Sequence, residues 1–283
     1  MNSDNIIKKS IDTAVKSGIT GYSAMSLQVV SLMWLRTTVN YQYKHGTQFR
    51  ETLGILYKQG GISRFYRGLL PALFQAPLSR FGDIATNTGV MYYLNNNQST
   101  KELPIPFKTF IGSMFAGLWR INLMPIDTTK TMLQVHGKEG IPILREKIRT
   151  NGIRTLYNGS LGAYSATLVG HFPWFLTFNM LENYLPKPNE ESQYNKPLSI
   201  IRYGAIGFSS SFISDTCSNS LRVIKTTKQT NKNNLSYKLI VKDIIEKDGI
   251  QGLLFRGLKT KIITNGVQGL LFTVIWKILE NKI

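Results

Sequence analysis

The chain has 283 residues, with 34 lysines and arginines against 16 aspartates and glutamates, a formal charge of +18 at neutral pH. One cysteine, Cys217, excludes an internal disulfide framework, and the scattered His45, His136 and His171 have no metal-ligand spacing. So basic a chain favours anionic partners, but no basic run with interleaved aromatics points to nucleic acid, which is not expected as a partner.

The first residues, MNSDNIIKKSIDTAVKSG, contain Asp4 and Asp12 and no apolar core, so they read neither as a secretory signal nor as an arginine-rich transit peptide. Charge is then absent from residues 17–35, 84–100, 155–181 and 262–276. Two further windows are interrupted once each, 109–126 by Arg120 and 203–221 by Asp215. All six approach the length that a bilayer core requires. They are rich in Gly, Ser, Thr and Asn, as suits helices with one face on lipid and another on a wet cavity. A large soluble helical protein is the competing reading.

Self-similarity organises these windows. GGISRFYRG begins at Gly60, NGIRTLYNG at Asn151 and DGIQGLLFRG at Asp248, and their closing glycines, Gly68, Gly159 and Gly257, are 91 and 98 residues apart. Upstream, SLMWLRTTVN begins at Ser31, PIDTTKTMLQ at Pro125 and SLRVIKTTKQ at Ser220, spaced by 94 and 95 residues. Each unit reads as helix, short charged amphipathic segment at a membrane surface, aromatic-x-glycine turn, helix. The expected repeats are 1–98, 104–188 and 197–283. The predicted fold is therefore an all-α membrane protein of six transmembrane helices in three pseudo-symmetric pairs, each pair with a short amphipathic surface helix.

On this period, on the P-x-D-x-x-K-x-x-x-Q stretch at Pro125 and on the three turns, the chain resembles the mitochondrial carrier family. The resemblance covers about residues 18–278. It implies a monomeric multi-pass protein of the inner mitochondrial membrane that moves a small charged or zwitterionic solute by alternating access, without enzymatic activity or cofactor. It also implies cardiolipin at the turns, where unpaired N–H groups at a helix start favour an anion, with Gly68, Gly159 and Gly257 opening the helices and Arg67 and Arg256 reinforcing two of the sites.

In the family a proline kinks each odd helix, and the following acid and base pair between neighbouring repeats to close the matrix side. Here the prolines of the first and third units are Ser31 and Ser220, which bend a helix less strongly. The acids there are Met33 and Arg222, while the bases remain as Arg36, Lys130 and Lys225. Neighbour pairing would join Asp127 to Lys225, set Lys130 against Met33 and set Arg222 against Arg36. The bracing glutamines are Gln134 and Gln229, with Asn40 in the first unit. A second reading has Arg36 and Arg222 marking helix ends near anionic lipid. The family's opposite gate, at NTGVM (Asn87), FNMLE (Phe178) and WKILE (Trp276), is largely lost, with Lys277 and Glu280 in reversed order.

Intramembrane ionisable residues away from the gates are candidates for the solute site. Arg80, Asp83 and Asn87 share one helical face, and Ser26, Arg120 and Asp215 stand at one equivalent level of the three repeats. Arg120 and Asp215 either pair with each other or grip a solute. The family's contact points fall on Gln75, Ala166 with Thr167, and Thr264, and His171 is a further candidate. The alternative function is a carrier-fold adaptor or outer-membrane scaffold that no longer transports.

Overall fold

The computed structural model describes residues 3–186, 188 and 195–268, and every regular element among them is helical. The first unit comprises α1 (Ser3–His45), α2 (Phe49–Lys58), α3 (Gly61–Phe65) and α4 (Leu69–Asn96). The second comprises α5 (Ile105–Asn122), α6 (Met124–His136), α7 (Gly140–Asn151) and α8 (Ser160–Tyr184). The third comprises α9 (Asn195–Thr230), α10 (Tyr237–Phe255) and α11, helical over 258–268. Trp276, Lys277 and Glu280 lie outside the described residues.

Successive long helices pack side by side, α1 on α4, α4 on α5, α5 on α8 and α8 on α9. Gln268 on α11 donates to Gln28 on α1 at 3.0 Å, which brings the last helix back to the first. The C-terminal halves of α1 and α9 and the short α6 meet pairwise at one end.

The three odd helices differ where their sequences differ. Between α5 and α6 the axis breaks at Leu123, and Pro125 falls in the first turn of the new helix, where its missing N–H costs nothing. Ser31 and Ser220, expected to bend their helices, lie inside α1 and α9, which run unbroken for 43 and 36 residues. A serine keeps its backbone N–H in the helical ladder, so nothing obliges the axis to break.

The turn that follows each amphipathic helix is set by two glycines in the left-handed region. They are Gly61 and Gly68, Gly152 and Gly159, and Gly249 and Gly257, with φ between 61° and 88°. The second glycine of each pair also allows a close approach to the following unit. A Cβ there would stand 3.0 Å from the Lys130 carbonyl oxygen at Gly68, 3.0 Å from that of Lys225 at Gly159, and 2.9 Å from the Tyr43 ring at Gly257. Any side chain would therefore add both backbone strain and overlap.

Two kinds of polar tie hold each turn. Within a unit, Thr37 donates to the Phe65 carbonyl at 2.6 Å, Thr128 to that of Leu156 at 2.7 Å, and Asn219 to that of Leu254 at 2.8 Å. Between units, a base caps the carboxyl end of the next odd helix, where orphan carbonyls and the helix dipole favour a cation. Arg64 donates to the Gln134 and Val135 carbonyls, both at 2.9 Å. Lys147 donates to those of Gln229 and Asn231 at 3.0 and 2.8 Å, and Arg256 closes the cycle on Lys44 at 3.4 Å. Burial, then Lys228 and Lys44, push the Lys147 ammonium down to about 8, so it still carries its proton at neutral pH.

The helices bury polar as well as apolar side chains and turn large apolar ones outward. Thr131, Thr167, Ser214, Ser218 and Thr227 are buried, whereas Phe107, Phe115, Leu176, Met180, Phe208 and Phe212 are exposed. By hydropathy no helix among the described residues is long and apolar enough to cross a membrane, because each inward face dilutes the apolar outer one.

One helix seam depends on a single missing methyl. At Gly82 of α4 a Cβ would fall 1.9 Å from the Trp119 ring of α5, whose indole N–H donates to the Leu78 carbonyl at 2.9 Å. Gly82→Ala is expected to cost roughly 1–3 kcal/mol by overpacking. Thermal unfolding of the purified protein checks this, and an unchanged melting temperature would mean that α4 and α5 are not held at this distance.

Candidate functional site

The break at Leu123 gives α6 its own amino terminus, with Asp127 in its first turn, where the dipole favours a carboxylate. Asp127 is only 3% exposed. Its Oδ1 meets Lys130 Nζ at 2.6 Å, and its Oδ2 meets Lys225 Nζ of α9 at 2.5 Å and accepts from Gln229 Nε2 at 3.0 Å. Lys130 Nζ donates in addition to Gln75 Oε1 of α4 at 2.8 Å. One carboxylate therefore joins two ammonium groups and an amide where α6 and α9 meet.

Lys130, expected opposite Met33, spends its ammonium on Asp127 and Gln75. It turns along its own helix to Asp127, three residues back, where a carboxylate is in reach. Met33 is instead fully buried, with its sulfur accepting from Gln134 Nε2 at 3.7 Å, and Gln134 Oε1 accepts from Asn40 at 2.6 Å. Arg222, expected opposite Arg36, reaches two turns along α9 to Asp215 at 3.3 Å, where a carboxylate offsets its charge. Arg36 stays within electrostatic reach of Lys130 and of Lys261 on α11.

At the next level Arg120 of α5 holds Asp83 of α4 in a two-pronged pair, 2.6 Å from Nη2 to Oδ2 and 3.3 Å from Nε to Oδ1. Arg120 and Asp215 thus do not pair with each other. Asp215 takes Arg222 and also accepts from Asn265 of α11, whose amide oxygen in turn accepts from Lys261 at 3.2 Å. His171 Nδ1 lies 3.2 Å from Ser113 Oγ and within electrostatic reach of Arg80, Asp83, Arg120 and Arg222. Arg80 is exposed at the same level and, among the described residues, makes no ion pair.

Between these levels lies a gap of about 50 Å³, lined by Gln75, Arg120, Asp127, Ala166, Arg222 and Lys225 among others. The predicted contact points divide. Gln75 and Ala166 border the gap, whereas the hydroxyls of Thr167 and Thr264 are buried and donate to their own helices, at Ala163 and Thr260. Lys261 and Asn265 were not singled out from the sequence. The signal was available, since a fixed offset from the three turn glycines gives Ala72, Ala163 and Lys261.

The turn arginines also divide. Arg256 is buried against Asp248, with Nη2 to Oδ2 at 2.6 Å, while Arg67 makes no ion pair among the described residues.

With this geometry in place, a family model described as mitochondrial carrier protein matches residues 102–189 and 196–282. The chain belongs to the mitochondrial carrier family. A mitochondrial carrier-like protein of Acanthamoeba polyphaga mimivirus is 24% identical over 57% of the chain and 62% of its own length. The mitochondrial pyrimidine nucleotide transporter of Saccharomyces cerevisiae is 29% identical over 49% of the chain and 40% of its own length. Mitochondrial substrate carrier family protein S of Dictyostelium discoideum is 25% identical over 76% of each chain. The chain thus spans less than two thirds of the first two relatives. Members of this mitochondrial carrier family are membrane transporters of small solutes rather than enzymes.

Proposed function

We propose that this carrier moves a small charged or zwitterionic metabolite across the inner mitochondrial membrane by alternating access. The repeats 1–98, 104–188 and 197–283 supply six spans, formed by α1, α4, α5 with α6, α8, α9 and a last one that begins with α11. The exposed aromatic and aliphatic faces of α5, α8 and α9 support this placement. The single observation that carries the reading is the Asp127 node. It is a buried carboxylate shared by two partly buried ammonium groups at the convergent end of three helices, directly below a gap edged by the Arg120 guanidinium.

Asp127, Lys130 and Lys225, braced by Gln229 and Gln75, form the matrix gate, and Gln134 with Asn40 closes the first repeat's side. Opening separates α6 from α9 and exposes the node to water, which compensates the broken pairs and makes the gate reversible. Above it Arg80, Asp83, Arg120 and Asp215 meet the solute together with Gln75 and Ala166. Thr167 and Thr264 contribute by shaping the helices. The pyrimidine nucleotide transporter among the relatives makes nucleotides a natural part of the solute panel. Cardiolipin occupies the turns at Gly68, Gly159 and Gly257.

The scaffold reading has one observation in its favour: Arg222–Asp215 and Lys130–Asp127 are pairs within single helices, which do not have to break when helices separate. Uptake of labelled metabolites into proteoliposomes separates the two. Saturable uptake of at least one compound is expected, and folded protein that takes up none would favour the scaffold.

A further inference from the structure

The bases and acids around the gap above Asp127 do not balance. Each of the nearby carboxylates, Asp83, Asp127 and Asp215, already holds a base, and Asp127 holds two. Lys261 of α11 meets no carboxylate among the described residues, and its ammonium donates to the Asn265 amide oxygen at 3.2 Å. Asp215, the one described acid within its electrostatic reach, is spent: one oxygen meets Arg222 at 3.3 Å and the other accepts from Asn265. The guanidinium groups of Arg36, Arg120 and Arg222 lie within the same reach. Arg120 and Arg222 border the gap, and so does Ala163, the second unit's equivalent of Lys261. At this level the first two units present methyl groups, Ala72 and Ala163, and the third alone presents an ammonium. A charge placed at membrane depth without a counter-ion is costly and points to a functional partner.

We propose that Lys261 selects the solute by pairing with a carboxylate or phosphate group on it, so that the carrier takes anions rather than zwitterions or cations. This deepens the carrier reading and rests on it. An ammonium group in a poorly hydrated site gains most from a partner that brings the missing charge, and a charge-assisted hydrogen bond is stronger than its bond to an amide. The acids give the same answer from the other side. A cationic group on the solute would have to displace Arg120, Arg222 or a lysine from its carboxylate, whereas an anion displaces nothing. Arg120 and Arg222 can share the incoming charge without leaving Asp83 and Asp215, since a guanidinium has donors beyond those its pair consumes. Because the base stands in the third unit alone, the solute is held toward α11 rather than on the pseudo-threefold axis.

Uptake of labelled phosphate, malate, uridine monophosphate, alanine and choline into proteoliposomes tests this, with melting temperatures measured on the same full chain. The highest kcat/KM is expected for one of the three anions, malate reporting a carboxylate and the other two a phosphate group. Lys261→Gln should lower that kcat/KM by about tenfold or more, mainly through KM, and Lys261→Arg should restore most of it. Since Lys261 has no acid to lose, Lys261→Gln should leave the melting temperature of the solute-free protein unchanged or higher. Selection of alanine or choline, or anion uptake indifferent to Lys261→Gln, overturns the proposal. So does a melting temperature that falls in step with uptake, which would make Lys261 a brace for Asn265. If no compound enters, stabilisation of the detergent-solubilised protein by one of the anions, abolished by Lys261→Gln, would refute transport and leave this site standing. Absence of that stabilisation as well overturns the proposal.

Discussion

Asp127→Asn is expected to be the most damaging single change at the gate. The carboxylate is buried and, among the described residues, is the only acid that meets Lys130 and Lys225. Removing its charge leaves two ammonium groups in a poorly hydrated site, a loss of about 3–5 kcal/mol for a broken buried ion pair. On soluble-domain scaling the melting temperature falls by on the order of 10 °C. Lys225→Gln should cost clearly less, because Asp127 keeps Lys130 and the Gln229 amide. Adding Lys225→Gln to Asp127→Asn should recover part of the loss by removing one stranded cation. Thermal unfolding of the three variants checks this order. A Lys225→Gln variant less stable than Asp127→Asn would place the node's centre elsewhere.

Arg120 carries the second large effect. Arg120→Gln is expected to reduce transport at least tenfold, since its guanidinium borders the gap above the gate and is only partly consumed by Asp83. The single change also strands Asp83, so lost stability could mimic lost function. Asp83→Asn/Arg120→Gln resolves this, because a neutral amide pair at the same place leaves no unpaired charge. The double variant should recover the melting temperature while transport stays low. Recovery of both would make the pair a structural cross-brace between α4 and α5. Undiminished transport by Arg120→Gln would place the solute contact elsewhere in the cavity.

Much of the Asp127 cluster was legible because the repeat period names equivalent positions. Asp127 and Lys225 stand within bonding distance, and the turn glycines have the left-handed geometry that any side chain would strain. What period alone does not give is the fate of a base whose partner has been lost. Lys130 and Arg222 had neighbours predicted across the helix interface, but both found carboxylates along their own helices. For a long flexible side chain an intrahelical carboxylate three or seven residues away competes with any interhelical one, and it wins when the latter is missing. The kinks behaved in the opposite way. A proline removes a ladder hydrogen bond and favours a break, as next to Pro125, although α4 and α8 run on through Pro77 and Pro173. A serine keeps the bond, so α1 and α9 were left to packing. The inter-unit caps of Arg64 and Lys147 were hidden for a third reason: they bind backbone carbonyls, which no residue pattern displays.

On the proposed function, the cavity is open to one side of a membrane and closed to the other at Asp127. Ala166 borders the gap above the gate, and Cys217 is the only native cysteine. In a Cys217→Ser background, Ala166→Cys in oriented proteoliposomes can be probed with an impermeant maleimide from either side. Labelling is expected from the side opposite α2, α7 and α10 and not from theirs, with labelling from both sides once Asp127→Asn is added. Equal labelling from both sides in the parent, or from neither, would contradict the account.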